Sequence, residues 1–307
     1  MALIKCSQCG HEISDKANHC PHCGKKVEKK FFTKTRIIIG VISLVAIIAI
    51  IFNVYLLHTR NTDKVSNGVS NTSETSNSSD KDKSTKEETT TVTDIDGNVY
   101  KTVKIGKQVW MAENLRTTRY ANGTSIALGS ATNTTTACYY YPNYDSTNVS
   151  SYGLLYNWKA VMWNSSSSSA NPSGVQGICP DGWHVPSDAE WTELTDYVSS
   201  RSEYVCGNDK EYIAKALAST EEWENHDEDC AVGNIPNSNN ATGFSALPAG
   251  YYGGDYYYFG CDVYFWSATE SDDNDAYGRN LDCHYADVYR YNYYDRNNGF
   301  SVRCVRD

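Results

Sequence analysis

The sequence predicts an α+β fold for its larger part, residues 94–307. Three patterns predict it. A strand–turn–strand pattern opens this part, an amphipathic helix stands in its middle, and short strands separated by Gly and Asn turns run from Gly243 onward. In "DIDGNVYKTVKIGKQVWMAENL", residues 94–115, "DG" supplies one turn and "IGKQ" the next. Between them Val99, Lys101, Val103 and Ile105 alternate, so they share one face of a strand. In "GICPDGWHVPSDAEWTELTDYV" a short strand leads into a helix. Ser187 and Glu190 have capping-box spacing, and Trp191, Leu194 and Val198 form one helical stripe. "KEYIAKALAST", residues 210–220, predicts a second helix.

The segments ahead of this domain differ from it in charge. Residues 1–57 carry eight basic and three acidic side chains, whereas residues 58–307 carry 19 and 34. A basic head and an acidic body point to separate modules, and the acidic body excludes nucleic acid as its partner. Cysteine usage divides the same way. Four cysteines fall within the first 23 residues, none between 24 and 137, and seven from Cys138 to Cys304, which implies two redox environments.

The head, residues 1–28, contains Cys6, Cys9, Cys20 and Cys23 as two C-x2-C pairs ten residues apart. Each pair forms a tight turn that aims two thiolates at one point, and Gly10 and Gly24 follow directly where the turn needs a permissive backbone. Four thiolates in a tetrahedron suit a structural Zn²⁺, which supplies folding energy to a segment too short for a core. The pattern resembles the small zinc ribbon at the start of many bacterial membrane proteins. Two disulfides would need an oxidising compartment. His11, His19 and His22 are read as spectators, because four thiolates already fill the site.

Residues 37–57, "IIIGVISLVAIIAIIFNVYLL", are 21 residues without a charge. At about 1.5 Å per residue they span a hydrocarbon core of about 30 Å, so a transmembrane helix is expected. The preceding flank, "KKVEKKFFTKTR", is far more basic than the following "HTRNTDK". The positive-inside rule places the ribbon in the cytoplasm and the large domain outside. The expected localisation is therefore a bacterial cell membrane crossed once, with the ribbon placed to meet a cytoplasmic partner. Residues 58–93 are dominated by Ser, Thr, Asn, Lys, Glu and Asp and have no aromatic residue beyond the membrane flank, so they read as a disordered polar tether.

Six blocks of the large domain occur in the order seen in one family. They are "DIDGNVYKTVKIGKQVWMAENLRT", "YGLLYNWKAVM", "GICPDGWHVPSDAEWTEL", "ATGFSALPAGYY", "YFWSATE" and "GFSVRCVRD". They resemble the Fibrobacter succinogenes major paralogous domain over residues 94–307. That family is similar to the C-type lectin-like fold in its formylglycine-generating-enzyme branch. The resemblance implies helices against twisted antiparallel sheets, with long loops carrying the ligand surface. Its members are mostly bacterial cell-surface proteins, and many carry a lipoprotein signal instead of the ribbon and helix found here. The resemblance also implies a disulfide between Cys179 and Cys304. Cys206 with Cys230 is expected to clamp a loop. Of Cys138, Cys261 and Cys283, one then stays unbridged within the chain.

No enzymatic motif stands out. Cys261, Cys283 and Cys304 are too far apart in sequence to copy a close catalytic pair, and His184 and His284 are isolated, as hydrogen-bonded structural residues are. "ESDDNDAYGRNLD", residues 270–282, gathers hard oxygen ligands that could suit Ca²⁺. It lacks the glycine and distal glutamate of an EF-hand, so a solvated acidic loop is the expectation.

The remaining signal is tyrosine. Between Ser271 and Asn298, 19 of 28 residues are Ser, Asp, Asn, Tyr or His, and Tyr289, Tyr291 and Tyr293 alternate. Val, Ile and Thr dominate merely structural strands, whereas Tyr, Asn, Asp and Ser dominate adaptable binding surfaces. The expected ligand-binding residues are Tyr256, Tyr258, Trp266, Asp273, Asp275, Tyr277, Asn280, Tyr285, Tyr289, Tyr291 and Tyr293. The expected function is non-enzymatic binding of a glycan or a protein at the envelope. A structural envelope protein with water-facing Tyr/Asn strands is the alternative. So is a receptor diversified by a retroelement, because Asn, Asp, Tyr, His, Ser and Cys are all reached by changing only the adenines of Asn codons.

Overall fold

A computed structural model of the chain describes residues 3–5, 12–14, 90–130 and 136–307 and divides the chain into two compact units, 1–82 and 83–307. In the first unit β1 (Leu3–Lys5) pairs antiparallel with β2 (Glu12–Ser14), with Lys5 opposite Glu12. The connection between them therefore carries Cys6 and Cys9. The four cysteines themselves, the apolar run 37–57 and most of the tether lie outside the described residues. Among the described residues no helix is long and apolar enough to cross a membrane.

The second unit is α+β and rich in short strands. These are β3 (Thr91–Thr93), β4 (Val99–Ile105), β5 (Gln108–Met111), β6 (Ala127–Leu128), β7 (Cys138–Tyr140), β8 (Leu155–Tyr156), β9 (Trp183–His184), β10 (Tyr251–Tyr252), β11 (Tyr256–Tyr257), β12 (Asp262–Glu270), β13 (Asp275–Asp282), β14 (Tyr289–Asp295) and β15 (Val305–Arg306). Among the described residues four α-helices accompany them: α1 (Val149–Tyr152), α2 (Trp158–Met162), α3 (Asp188–Ser199) and α4 (Ala214–Leu217). A five-stranded sheet, ordered β3-β4-β5-β15-β9, gathers strands from both ends of the unit. Its first strand lies within the segment 58–93 read as tether. Thr91–Thr93 is a β-branched run that completes the edge beside β4, so the ordered domain begins earlier than residue 94.

Strand β4 shows why the expected single buried face is only part of its role. Val103 and Ile105 pack with Trp110, Trp191, Leu194, Val198 and Phe244 on one side. Tyr100 turns the other way and packs with Met111, Tyr156, Trp266 and Phe300. Val99 and Lys101 are exposed. The sheet thus has a core on each face, and alternation serves both.

Helix α3 begins as its sequence dictates. Glu190 N–H donates to Ser187 Oγ at 3.2 Å, and Ser187 N–H donates to Glu190 Oε2 at 2.9 Å. Trp191, Leu194 and Val198 are its buried stripe. Asp188 in its first turn accepts from Arg279 Nη1 and Arg290 Nη2, each at 2.8 Å, which ties the helix to β13 and β14. Burial alone would raise the Asp188 pKa, but the two guanidinium groups outweigh it and hold the carboxyl below its usual value.

The helix expected over 210–220 is one turn long. Thr242 N–H and its hydroxyl donate to the carbonyl of Ala216, the hydroxyl at 2.7 Å, and Ala218 leaves the helix to bridge Ala246. Tertiary hydrogen bonds take the carbonyls that a longer helix would use. Among the described residues three disulfides brace the domain: Cys179–Cys304, Cys206–Cys230 and Cys261–Cys283. The last settles the pairing that the sequence left open among Cys138, Cys261 and Cys283. The β12–β13 hairpin brings Cys261 and Cys283 together. Cys138 is a buried thiol whose Sγ lies 3.3 Å from the Tyr140 hydroxyl.

Candidate binding face

Strands β12, β13 and β14 form an antiparallel sheet with β13 in the middle and β14 at the edge. Because side chains alternate, register decides which residues share a face. On one face Asp262 sits opposite Asp282. The next row is Tyr264, Asn280 and Tyr289, and the one after is Trp266, Gly278 and Tyr291. The β12 ends of these rows are interior. Trp266 stacks on Phe300 with centroids 4.2 Å apart, and Tyr264 lies 5.0 Å from the same ring. The β14 ends of the rows come to the surface.

A bulge shapes that edge. Three steps of β14, from Tyr291 to Tyr294, span the two steps of β13 from Gly278 to Ala276. The extra residue leaves Tyr293 61% exposed while Tyr294 turns inward at 9%. Gly278 makes room for this, since a Cβ there would stand 2.8 Å from the Tyr294 ring.

The rings form one continuous chain of contacts, part of it at the surface. Tyr289 and Tyr291 are nearly parallel at 5.7 Å, Tyr291 and Tyr293 are 5.0 Å apart, and Tyr285 meets Tyr289 edge-on at 5.6 Å. The chain continues through Tyr294 and Tyr264 to Tyr251, which stacks on Tyr257 at 5.2 Å and lies 6.1 Å from Tyr258. Tyr257, Tyr258 and Tyr285 are 42%, 59% and 50% exposed. Burial, and then the Asp287 carboxylate, pushes the Tyr289 phenol up to about 12, and burial raises those of Tyr251 and Tyr291. At neutral pH these three rings stay uncharged hydrogen-bond donors.

Asp262 lies at the base of this face and is buried. Its Oδ2 accepts from the Tyr264 hydroxyl at 2.6 Å, while its buried Oδ1 makes no hydrogen bond of good geometry with a described residue. Burial, reinforced by Asp282 opposite, pushes the carboxyl up to about 6 against the opposing pull of the Tyr264 hydroxyl. A platform of neutral rings with carboxylates at its margin suits a flat ligand rich in hydroxyl groups, by stacking and by hydrogen bonding.

Of the expected residues, Tyr258, Tyr285, Tyr289, Tyr291 and Tyr293 meet on this surface. Trp266 and Asn280 do not, being 1% and 5% exposed. Both lie toward the covered part of the sheet, and the Asn280 amide is spent on the carbonyls of Val263 and Leu281. Tyr277 alternates onto the opposite face, where the Arg290 guanidinium lies 4.7 Å from its ring centroid. Tyr256 belongs to a neighbouring cluster with Tyr144, at 4.1 Å, and Tyr252, and the Tyr144 hydroxyl donates to Asp255.

Asp273 and Asp275 lie at the β12–β13 turn, away from the rings. That turn is organised by an arginine: the Arg296 guanidinium donates to Glu270 at 2.8 Å and to the carbonyls of Asp272 and Asp275. Tyr251, Tyr257, Tyr264 and Asp262 lie in the run 251–298 read as the binding face but were not singled out by residue. Their signal was the alternation Asp262-Tyr264-Trp266 and the repeat of tyrosines on both sides of the Gly253–Gly254 turn.

The chain is thus a small hairpin module followed by a disulfide-braced α+β domain that displays a surface of tyrosine rings. Comparison with protein families gives each part its relatives. The family model of the Fibrobacter succinogenes major domain matches residues 103–306, about two thirds of the chain, and a zinc-ribbon domain model matches residues 2–27. The chain belongs to the Fibrobacter succinogenes major domain family. Searches of curated proteins and of solved structures return no match. The zinc-ribbon match spans Cys6, Cys9, Cys20 and Cys23, and four thiolates are a donor set that suits a structural Zn²⁺.

Proposed function

We propose that this is a bacterial envelope protein, anchored by one transmembrane helix at 37–57, whose external domain has a C-type lectin-like fold and binds a glycan without chemistry. The zinc ribbon stays in the cytoplasm with a structural Zn²⁺ on its four cysteines. One observation carries the reading: four exposed tyrosines, Tyr257, Tyr258, Tyr285 and Tyr293, extend a stack whose inner rings are anchored in the core. Exposed rings cost a monomer solubility, and contiguous ones mark interaction sites. The three disulfides support an oxidising location for the domain.

The alternative, a purely structural role, is favoured by the packing of Tyr291 against the core. The test therefore uses rings that do not support the core. Glycans immobilised on an array are probed with the chain and with Tyr285→Ala/Tyr293→Ala. Two stacking contacts at about 0.5–1.5 kcal/mol each predict a loss of about 5- to 150-fold in affinity with an unchanged melting temperature. A broad array without a bound glycan, or a melting temperature that falls in the double variant, would favour the structural role.

A further inference from the structure

At the open end of the β12–β13 hairpin is a group of side chains that the aromatic face does not use. Cys261 and Cys283 lie just beyond the Asp262–Asp282 pair with Cα atoms 4.8 Å apart, and His284 follows. His284 Nδ1 lies 3.4 Å from Cys261 Sγ, 3.4 Å from Cys283 Sγ and 2.8 Å from Asp282 Oδ1. Cys261 Sγ is 3.7 Å from the same Asp282 oxygen. One atom from each of the four residues falls within 4.8 Å of the others.

Hydrogen bonds and a ring contact hold the frame in addition to the sulfur–sulfur bond. Cys283 N–H donates to the carbonyl of Cys261 at 2.9 Å, and Gly233 N–H donates to that of Cys283 at 2.9 Å. His284 N–H donates to Asp282 Oδ1 at 2.8 Å, and the ring of His226 packs against that of His284 at 4.7 Å. The two sulfurs are buried while His284 is half exposed, which leaves a way in from solvent over the imidazole.

We propose that Cys261, Cys283, His284 and Asp282 form a second, thiol-dependent zinc site, distinct from the N-terminal ribbon. A disulfide has no thiolate and is a poor zinc ligand, so the site exists only after reduction. Two-electron reduction by a dithiol gives two cysteine thiols and leaves the dithiol as its own disulfide. Zinc then displaces both thiol protons and is held by two thiolates, one imidazole nitrogen and one carboxylate oxygen. Soft sulfur with nitrogen and one oxygen selects Zn²⁺ over Ca²⁺ or Mg²⁺. At a Zn–S distance of about 2.3 Å, tetrahedral geometry sets the sulfurs about 3.8 Å apart, a separation that rotation of two cysteine side chains supplies. The hairpin end is then clamped in either redox state, by the disulfide when oxidised and by the metal when reduced.

The test measures zinc bound per chain in the full-length protein, oxidised and after reduction by a phosphine, followed by equilibration with zinc and desalting. One additional zinc in the reduced protein is expected. Cobalt in its place should give a thiolate charge-transfer band with tetrahedral ligand-field bands. Cys283→Ser should abolish the additional metal although the cysteines of the other two bridges remain. His284→Ala keeps the disulfide, so its oxidised form can be checked for an unchanged melting temperature, and it should weaken zinc at least about tenfold. No additional zinc, additional zinc that survives Cys283→Ser, or full affinity in His284→Ala would each overturn the proposal.

Discussion

His184 shows how much one buried side chain can hold together. Its Nε2 lies 2.6 Å from Glu190 and its Nδ1 2.7 Å from Asp307, so the ring joins the capping box of α3 to the strand layer. Both nitrogens face carboxylates, and only the imidazolium can donate to both. Burial alone would lower its pKa, but the two carboxylates outweigh burial and raise it. The sign of the consequence follows. The stability this charge contributes is fully present below the unfolded-state pKa of about 6.5 and is lost as pH rises through the higher folded value. His184→Gln, which cannot take the charge, should cost about 2 kcal/mol in mildly acidic buffer and progressively less toward alkaline pH. Denaturant titrations of both proteins across that range check it, and a difference that does not vary with pH would mean that the charge contributes nothing. The sequence placed His184 among structural residues, as it is here, but it could not show the partners. Asp307 is 123 residues away, and nothing local connects them.

At the scale of elements, what was readable depended on whether the signal was local. The capping box at Ser187 and Glu190, the stripe on α3, and the two turns of the first hairpin are short-range patterns, and each forms as read. The long helix over 210–220 does not form, because Thr242 and Ala246 capture its carbonyl and its exit strand from far away in sequence. The tyrosines fall between these cases. Alternation correctly put Tyr289 and Tyr291 on one face, but only the three-stranded register shows that Trp266 and Asn280 share that face at its covered end and that Tyr277 does not share it. The bulge in β14 was invisible in a run of tyrosines and asparagines, since it requires knowing the partner strand. Gly278 is the residue through which the bulge can be tested. A Cβ at this position would lie 2.8 Å from the carbonyl oxygen of Phe265 and 2.8 Å from the Tyr294 ring, and the backbone atom cannot yield. Gly278→Ala should therefore destabilise the domain by about 1–3 kcal/mol, read from urea unfolding. A variant as stable as the parent would mean that β14 shifts freely, and the face would then be no fixed platform.

For the whole molecule, the two cysteine populations demand different chemistry, and this can be separated in one preparation. Cys179–Cys304 closes 125 residues and ties β15, the strand that joins both ends of the domain, to the block before α3. The chain-entropy account gives a bridge of that span about 5 kcal/mol, against about 3 kcal/mol for the spans of 24 and 22 residues closed by the other two. On the proposed reading the four N-terminal cysteines hold Zn²⁺, and the ribbon's stability is then metal binding itself. All seven tryptophans lie between residues 110 and 266, so tryptophan fluorescence reports the large domain and leaves the ribbon silent. In the oxidised full-length chain, a zinc chelator should remove the ribbon's metal, seen by elemental analysis, without moving the fluorescence melting temperature. Cys179→Ser/Cys304→Ser should do the reverse, lowering that temperature steeply while leaving the ribbon's zinc in place. If chelation also lowered the domain's melting temperature, the domain would depend on the metal. If the double variant lost its zinc, the ribbon would depend on the disulfide. Either outcome would break the division into two independently stabilised units that the cysteine spacing implies.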